Sequence, residues 1–310
     1  MNAQRNFRVV LWFVALTFGL TWALWSLLWL PAIGGNRLMA LAVTTLGMWG
    51  PGVSALLVTR FALSESWRTL TLDRLGRKRY YLWAWFLPLL GTLVAMGLTI
   101  ALGIARFDPE SSQLQAMIEE TTSTPLPIPL WTIVALQVVQ AVTWAPLFNA
   151  LFALGEELGW RGFLLLRLMQ AGLSQRRALI VSGIIWGLWH APVIVRGHNY
   201  PGHPYLGVLL MTVFTTLIGV IFGWLQLASG SVWVPAIAHG ALNAIAGLPF
   251  LLLTPFDTAI GGMLTSIIGW IPLVAFVAWL VWSGRLPVAE KSAGSYLASD
   301  TNVSTPASGR

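Results

Sequence analysis

Two adjacent glutamates, Glu156 and Glu157, and an arginine, Arg161, interrupt a strongly apolar stretch that covers residues 128–154 before them and 162–166 after them. Charges inside a long apolar run are costly, so they are paired, functional, or both. Helical spacing divides the three. Glu157 and Arg161 stand at i and i+4 with the acid first, the favourable order for an ion pair. Glu156 points about 100° away around the helix and has no partner at that spacing. The spacing therefore predicts a structural pair, Glu157–Arg161, and a free working carboxylate, Glu156. The alternative is a helix end at the membrane surface with all three charges solvated. Leu164, Leu165 and Leu166 carry the apolar pattern past Arg161 and weigh against it.

Composition points to a polytopic membrane protein. The 310 residues are 56% hydrophobic and 9% charged, with 18 Trp, and a soluble domain of this length does not carry so few charges. Cysteine is absent, which excludes disulfides, a thiolate metal site and a cysteine nucleophile. The pattern predicts an all-α transmembrane bundle of about eight spans, at residues 9–31, 38–59, 82–104, 128–167, 178–195, 205–227, 233–253 and 260–282. The first is too long for a signal-peptide core and is expected to be retained. The second is interrupted at Gly50-Pro51-Gly52, a break that needs neighbouring helices or water to satisfy the freed backbone. The fourth is too long for one straight crossing, so a kink is expected near Pro146 or Gly155. Three regions result: residues 1–127, with three spans and an outer loop; a catalytic-type core over 128–283; and a small, polar, disordered tail over 284–310.

Charge asymmetry orients the bundle. Fourteen of the eighteen Lys and Arg fall in the N-terminus, the 60–79 loop, the 167–177 turn and the tail. The opposite loops hold Arg37, Arg106 and Arg196, and the remaining one is Arg161. Both termini are therefore expected in the cytoplasm, with the acidic 107–127 loop outside. This distribution accounts for the net charge of +7 without a nucleic-acid partner. The expected setting is a bacterial cytoplasmic (inner) membrane, with lipids around the chain.

The spans hold few other polar groups. Trp186 and His190 are i,i+4 on one span, and His239 and Asn243 are i,i+4 on another. At 1.5 Å per residue, Glu156 lies about 16 Å in from Arg167, His190 about 18 Å in from Ala178 and His239 about 9 Å in from Trp233. The expectation is one shared cavity, open to the cytoplasm. His198 and His203 sit in a Gly/Pro-rich outer loop and read as loop residues. The tryptophans read as interface anchors and packing. Taken singly, each histidine is equally well an interhelical hydrogen bond, and an asparagine such as Asn243 is more often helix–helix glue than a catalytic group.

Together they support hydrolysis without a covalent nucleophile. Glu156 would take a proton from water with His190 orienting it, and His239 with Asn243 would stabilise the oxyanion of an attacked peptide carbonyl. Glu156, His190 and His239 around a zinc ion is the alternative, although HExxH spacing is absent. A serine mechanism is weaker, since no Ser stands in a Gly-x-Ser-x-Gly context.

Glu156-Glu157-x-x-x-Arg161, then Trp186-x-x-x-His190, then His239-x-x-x-Asn243, in this order on membrane helices, resembles the CPBP family. That family comprises the CAAX prenyl endopeptidases and the bacterial Abi or bacteriocin-processing proteins. Gly-Trp-Arg-Gly-Phe after the glutamates and Ser-x-Trp-x-Pro-Ala before His239 add to the likeness, which covers roughly residues 129–250. The resemblance implies a glutamate-type intramembrane protease in which Glu156 and His190 activate water, His239 and Asn243 hold the oxyanion, and Glu157 and Arg161 support the site. It leaves zinc open, since the family has also been described as metalloproteases. Trp186 departs from the pattern, which usually has Phe; it keeps an aromatic ring but adds bulk and an N–H, and is expected to narrow the substrate groove without touching the chemistry. The substrate class implied is a membrane-associated, prenylated or otherwise lipid-linked peptide, entering between helices at the Gly50-Pro51-Gly52 break. Two other classes remain: a proton-coupled transporter, for which intramembrane Glu and His are suited but no internal repeat is visible, and a non-catalytic scaffold or immunity protein.

Overall fold

The computed structural model describes residues 3–121 and 128–288. Most of the predicted polar tail, from residue 289 on, lies outside the described residues. In chain order the elements are α1 (Ala3–Ser26), a 3₁₀ turn (Leu27–Trp29), α2 (Pro31–Gly34), α3 (Arg37–Gly47) and α4 (Gly50–Leu57), which runs on into a π-helical turn (Val58–Ala62). A second 3₁₀ turn (Trp67–Leu70) precedes α5 (Arg79–Ala101), α6 (Ser112–Thr121), α7 (Leu130–Val142) and α8 (Ala145–Glu157). A π-helical segment (Leu158–Leu164) joins α8 to α9 (Leu165–Gln170). The rest is α10 (Gln175–Trp189), α11 (Ala191–Val195), α12 (Leu206–Ser229), α13 (Trp233–Ile245), α14 (Leu248–Leu252) and α15 (Trp270–Trp282). Among the described residues there is no strand; one isolated bridge pairs Phe107 with Leu253.

Five helical stretches are long and apolar enough to cross a membrane, and six when the bent pair α7–α8 is counted as one span. Two of the eight expected spans are shorter helices. The fifth ends at Trp189 and restarts at Ala191, because Pro192 cannot extend α10 but fits the first turn of α11. The eighth begins at Trp270 rather than near residue 260. Residues 258–266 are apolar yet form turns, mostly buried within the protein. Their backbone is satisfied locally: Gly262 N–H donates to Thr99 Oγ1 (2.8 Å) and Ile267 N–H to the Ala259 carbonyl (2.9 Å). Irregular backbone at membrane depth is tolerated only when protein surrounds it in this way.

The kink expected near Pro146 lies just before it. The chain leaves the helix at Thr143 and Trp144, and α7 and α8 meet at 54°. Gly155 stays inside α8; the second irregularity is the π-helical segment that follows Glu157. Such wide turns are uncommon and concentrate at functional sites.

α4 crosses this region at backbone contact. A Cβ on Gly52 would stand 2.6 Å from the Gly155 carbonyl oxygen, and one on Gly159 would stand 2.4 Å from Pro51 Cβ. Small residues let membrane helices approach this closely. Tight turns carry the chain across the break, with Met48 N–H donating to the Thr45 carbonyl (3.1 Å) and Trp49 N–H to the Leu46 carbonyl (3.1 Å). Aromatic packing closes the other side of the π-helical segment: Phe13 stacks on Phe163 (4.8 Å), and Trp189 contacts both Trp25 (4.5 Å) and Trp160 (5.7 Å). Trp25, Trp160, Trp189 and Trp224 are fully buried core residues, whereas Trp12 and Trp282 face outward. Outside the spans, Asp108 caps the start of α6. Ser112 Oγ donates to it at 2.5 Å, and this bond, with backbone donors, holds the Asp108 carboxyl below the usual carboxylate range.

The α4–α8 contact leaves no room for a side chain. Gly52→Val is expected to destabilise by about 1–3 kcal/mol through overpacking. Gly97→Val, in open space on α5, is the control and is expected to keep the parent's thermal midpoint in detergent.

Candidate active site

Glu156 and Glu157 end α8, and Arg161 lies in the π-helical segment; all three are buried. Arg161 Nη1 donates to Glu157 Oε1 at 2.9 Å, the i,i+4 pair expected from spacing. The pair is not isolated. His239, from the middle of α13, places Nδ1 2.9 Å from the same oxygen, Glu157 Oε1. The other oxygen, Oε2, is buried and has no hydrogen-bond partner. Arg161 lies over two neighbouring rings, its guanidinium carbon 4.1 Å from the Trp186 ring centre and 5.3 Å from that of Phe222. A stacked guanidinium gains cation–π attraction where water is excluded.

Glu156 turns the other way, as helical geometry requires, and meets Trp186. The indole Nε1–H donates to Glu156 Oε2 at 2.7 Å. The extra N–H of Trp186 therefore engages Glu156, the carboxylate expected from sequence to take the proton. Glu156 Oε1 accepts no hydrogen bond among the described residues. His190, the residue that closes α10, places Nδ1 2.8 Å from the Trp186 carbonyl. A carbonyl only accepts, so Nδ1 carries the proton and Nε2 of the neutral ring is a free lone pair. Trp186 thus holds both Glu156 and His190.

Glu156, His190, His239 and Asn243 all line one cavity of about 380 Å³, together with Trp186. Glu156, His239 and Trp186 form its buried floor, and Asn243 is exposed near its rim. Two features differ from the sequence reading. His198, taken as a plain loop residue, lines the same cavity; its ring in a Gly/Pro-rich loop gave no signal in spacing. His203 does not line it and instead pairs with Asp257 (2.9 Å). The second difference is the mouth. The cavity wall includes Asn199, Pro249 and Thr265, from segments at the opposite end of the bundle to the basic loops, so it does not open on the side expected to be cytoplasmic. The Gly50-Pro51-Gly52 break is not an entrance either, because α4 is sealed there against Gly155 and Gly159. The wall reaches the bundle's outer surface at Leu41, Thr44 and Thr45 of α3, facing Leu242 and Ala246 of the α13 region.

A zinc ion would need Glu156, His190 and His239 to converge. Among the described residues no group of three His, Asp or Glu side chains is placed to hold a metal ion, and no step is routed through one.

Residues 127–245 match the family model described as type II CAAX prenyl endopeptidase Rce1-like. The matched stretch contains Glu156, Glu157, Arg161, Trp186, His190, His239 and Asn243, in agreement with the resemblance of the motifs. A search of curated proteins gave no match to the chain. The match covers less than half of the chain, and the apolar helices support an integral membrane protein.

The ionic cluster separates fold from chemistry. Glu157→Ala leaves Arg161 buried without its carboxylate and is expected to destabilise by about 3–5 kcal/mol. Glu156→Gln keeps an acceptor for Trp186 Nε1 and is expected to retain the parent's thermal unfolding midpoint in detergent.

Proposed function

We propose that the chain is an intramembrane endopeptidase that cuts a membrane-associated or lipid-linked peptide by direct attack of water. The observation that carries this reading is the shared cavity: a buried carboxylate, a histidine with a free Nε2, and a His–Asn pair face one space. Water donating one proton to Glu156 Oε1 and the other to His190 Nε2 is oriented for attack on a carbonyl. Glu156 takes the first proton as the C–O bond forms. The protonated Glu156 then gives it to the leaving amine as the C–N bond breaks, which restores the carboxylate.

The oxyanion falls to Asn243 and His239. Asn243 donates through its amide. His239 already spends its Nδ1–H on Glu157, so it donates from Nε2 only as an imidazolium. Glu157 therefore acts on the reaction through His239, and Arg161 holds Glu157. Trp186 is a positioning residue, fixing the carboxylate that takes the proton.

The test is cleavage of a quenched fluorescent membrane-peptide library by the purified chain. Glu156→Gln is expected to lower kcat about 10²- to 10⁴-fold and Asn243→Ala about 10²- to 10³-fold, both with the fold kept. Undiminished turnover in folded Glu156→Gln would sink the role given to Glu156, and absence of cleavage by the folded parent would favour a scaffold. Trp186→Phe loses one hydrogen bond to a charged group and is expected to lower kcat roughly tenfold or more with KM unchanged. A rise in KM alone would instead mark Trp186 as a wall of the groove.

A further inference from the structure

The two ends of the bundle carry opposite charge. At one end, Arg77 N–H donates to the Ser229 carbonyl that closes α12 (3.0 Å), and Trp233 Nε1, opening α13, donates to the Leu72 carbonyl (3.0 Å). Asn6 of α1 reaches the Gln170 carbonyl at the end of α9, and Val288 N–H, beyond α15, reaches Gln175 at the start of α10. That end gathers twelve described Lys and Arg residues, among them Arg60, Arg68 and Arg176, against two acids, Glu65 and Asp73. The other end is tied together by the Phe107–Leu253 bridge, by Tyr200 Oη donating to the Thr265 carbonyl (2.7 Å) and by His203–Asp257. It holds Arg37, Arg106 and Arg196 against five acids, Asp108, Glu110, Glu119, Glu120 and Asp257.

The cavity belongs to the acidic end. On α12 it touches Met211 and Phe214. Phe214 is about 12 Å from the Leu206 end and about 22 Å from the Ser229 end that meets Arg77. On α10 it touches the last turn, and along α13 exposure rises from buried His239 to exposed Asn243 as the helix runs away from the basic loops. His198 and Asn199, from the loop at that end, form part of the rim.

An excess of Lys and Arg marks the cytoplasmic face of a membrane protein. We infer that the site is entered from the extracytoplasmic face, through the mouth beside the 196–204 loop and the flank of α3. The peptide it takes then has its scissile bond in the outer half of the membrane or just beyond it. A translocation or insertion step must deliver that bond before the cut. The cutting rests on the proposed protease reading; the sidedness rests on charge and cavity alone.

The cysteine-free chain makes a direct test available. Single substitutions are placed at Gly202→Cys in the acidic-end loop, Ala246→Cys on the cavity wall and Arg68→Cys in the basic loop. Gly202 and Arg68 are exposed, and Gly202 has open space around its Cβ position. Spheroplasts are treated with a membrane-impermeant maleimide before and after permeabilisation. Labelling of Gly202→Cys and Ala246→Cys in intact spheroplasts, with Arg68→Cys reacting only after permeabilisation, is expected. The reverse pattern overturns the inference, as does an Ala246→Cys that reacts only after permeabilisation. Labelling needs no catalysis, so a chain that labels as expected but cuts nothing refutes the protease reading and leaves the sidedness standing. A chain that cuts but labels in reverse does the opposite.

Discussion

One carboxylate oxygen, Glu157 Oε1, accepts from both Arg161 and His239 inside the bundle, and the site is arranged around that meeting. Ions withdrawn from water cost several kcal/mol each unless neighbours replace the lost solvation. Replacement here comes from three elements. The π-helical segment supplies Arg161, α13 supplies His239, and α10 supplies the Trp186 ring on which Arg161 lies. Trp186 then extends the order outward, donating to Glu156 and accepting from His190. The charged core thus fixes the positions of the groups that face the cavity, although neither Glu157 nor Arg161 lines it.

Local relations were legible in the sequence and distant ones were not. The Glu157–Arg161 pair follows from i,i+4 spacing, and the opposite heading of Glu156 follows from the same geometry. The link from Glu157 to His239 spans 82 residues, and no periodicity encodes it. Its consequence is chemical. His239 was assigned a hydrogen-bond donor to the oxyanion, but with Nδ1–H given to Glu157 it can fill that role only when protonated. Trp186 was read as added bulk and an N–H without a partner, because a sequence pattern records the ring and not where its N–H points. His198 was set aside because Gly and Pro neighbours mark a loop without saying that the loop borders a cavity.

The start of the last helix was placed too early for a related reason. Apolar composition signals burial, and burial in lipid and burial in protein look alike along a sequence. The turns over residues 258–266 are apolar because α5 and its surroundings enclose them, with Thr99 supplying a hydrogen bond that lipid could not. Proline and glycine gave better guidance. Pro146 marks the break before α8 to within a few residues, and Pro192 explains why α10 ends beside His190.

The family match begins at residue 127, yet helices before it build one wall of the cavity. Trp25 from α1 and Leu41, Thr44 and Thr45 from α3 face residues of the matched core across the space where a peptide would lie. These N-terminal helices are docked by contacts that leave little freedom at one point and more at another. α4 meets α8 glycine to glycine, too tightly for a peptide to pass. α3, one turn of chain away, touches nothing comparable along its exposed Leu38–Leu41 face. The close packing beside Glu156 and Glu157 closes the bundle at α4, whereas the cavity wall reaches the surface at α3. These are neighbouring stretches of one broken helix, and the break at Gly50-Pro51-Gly52 is the joint that lets the two differ.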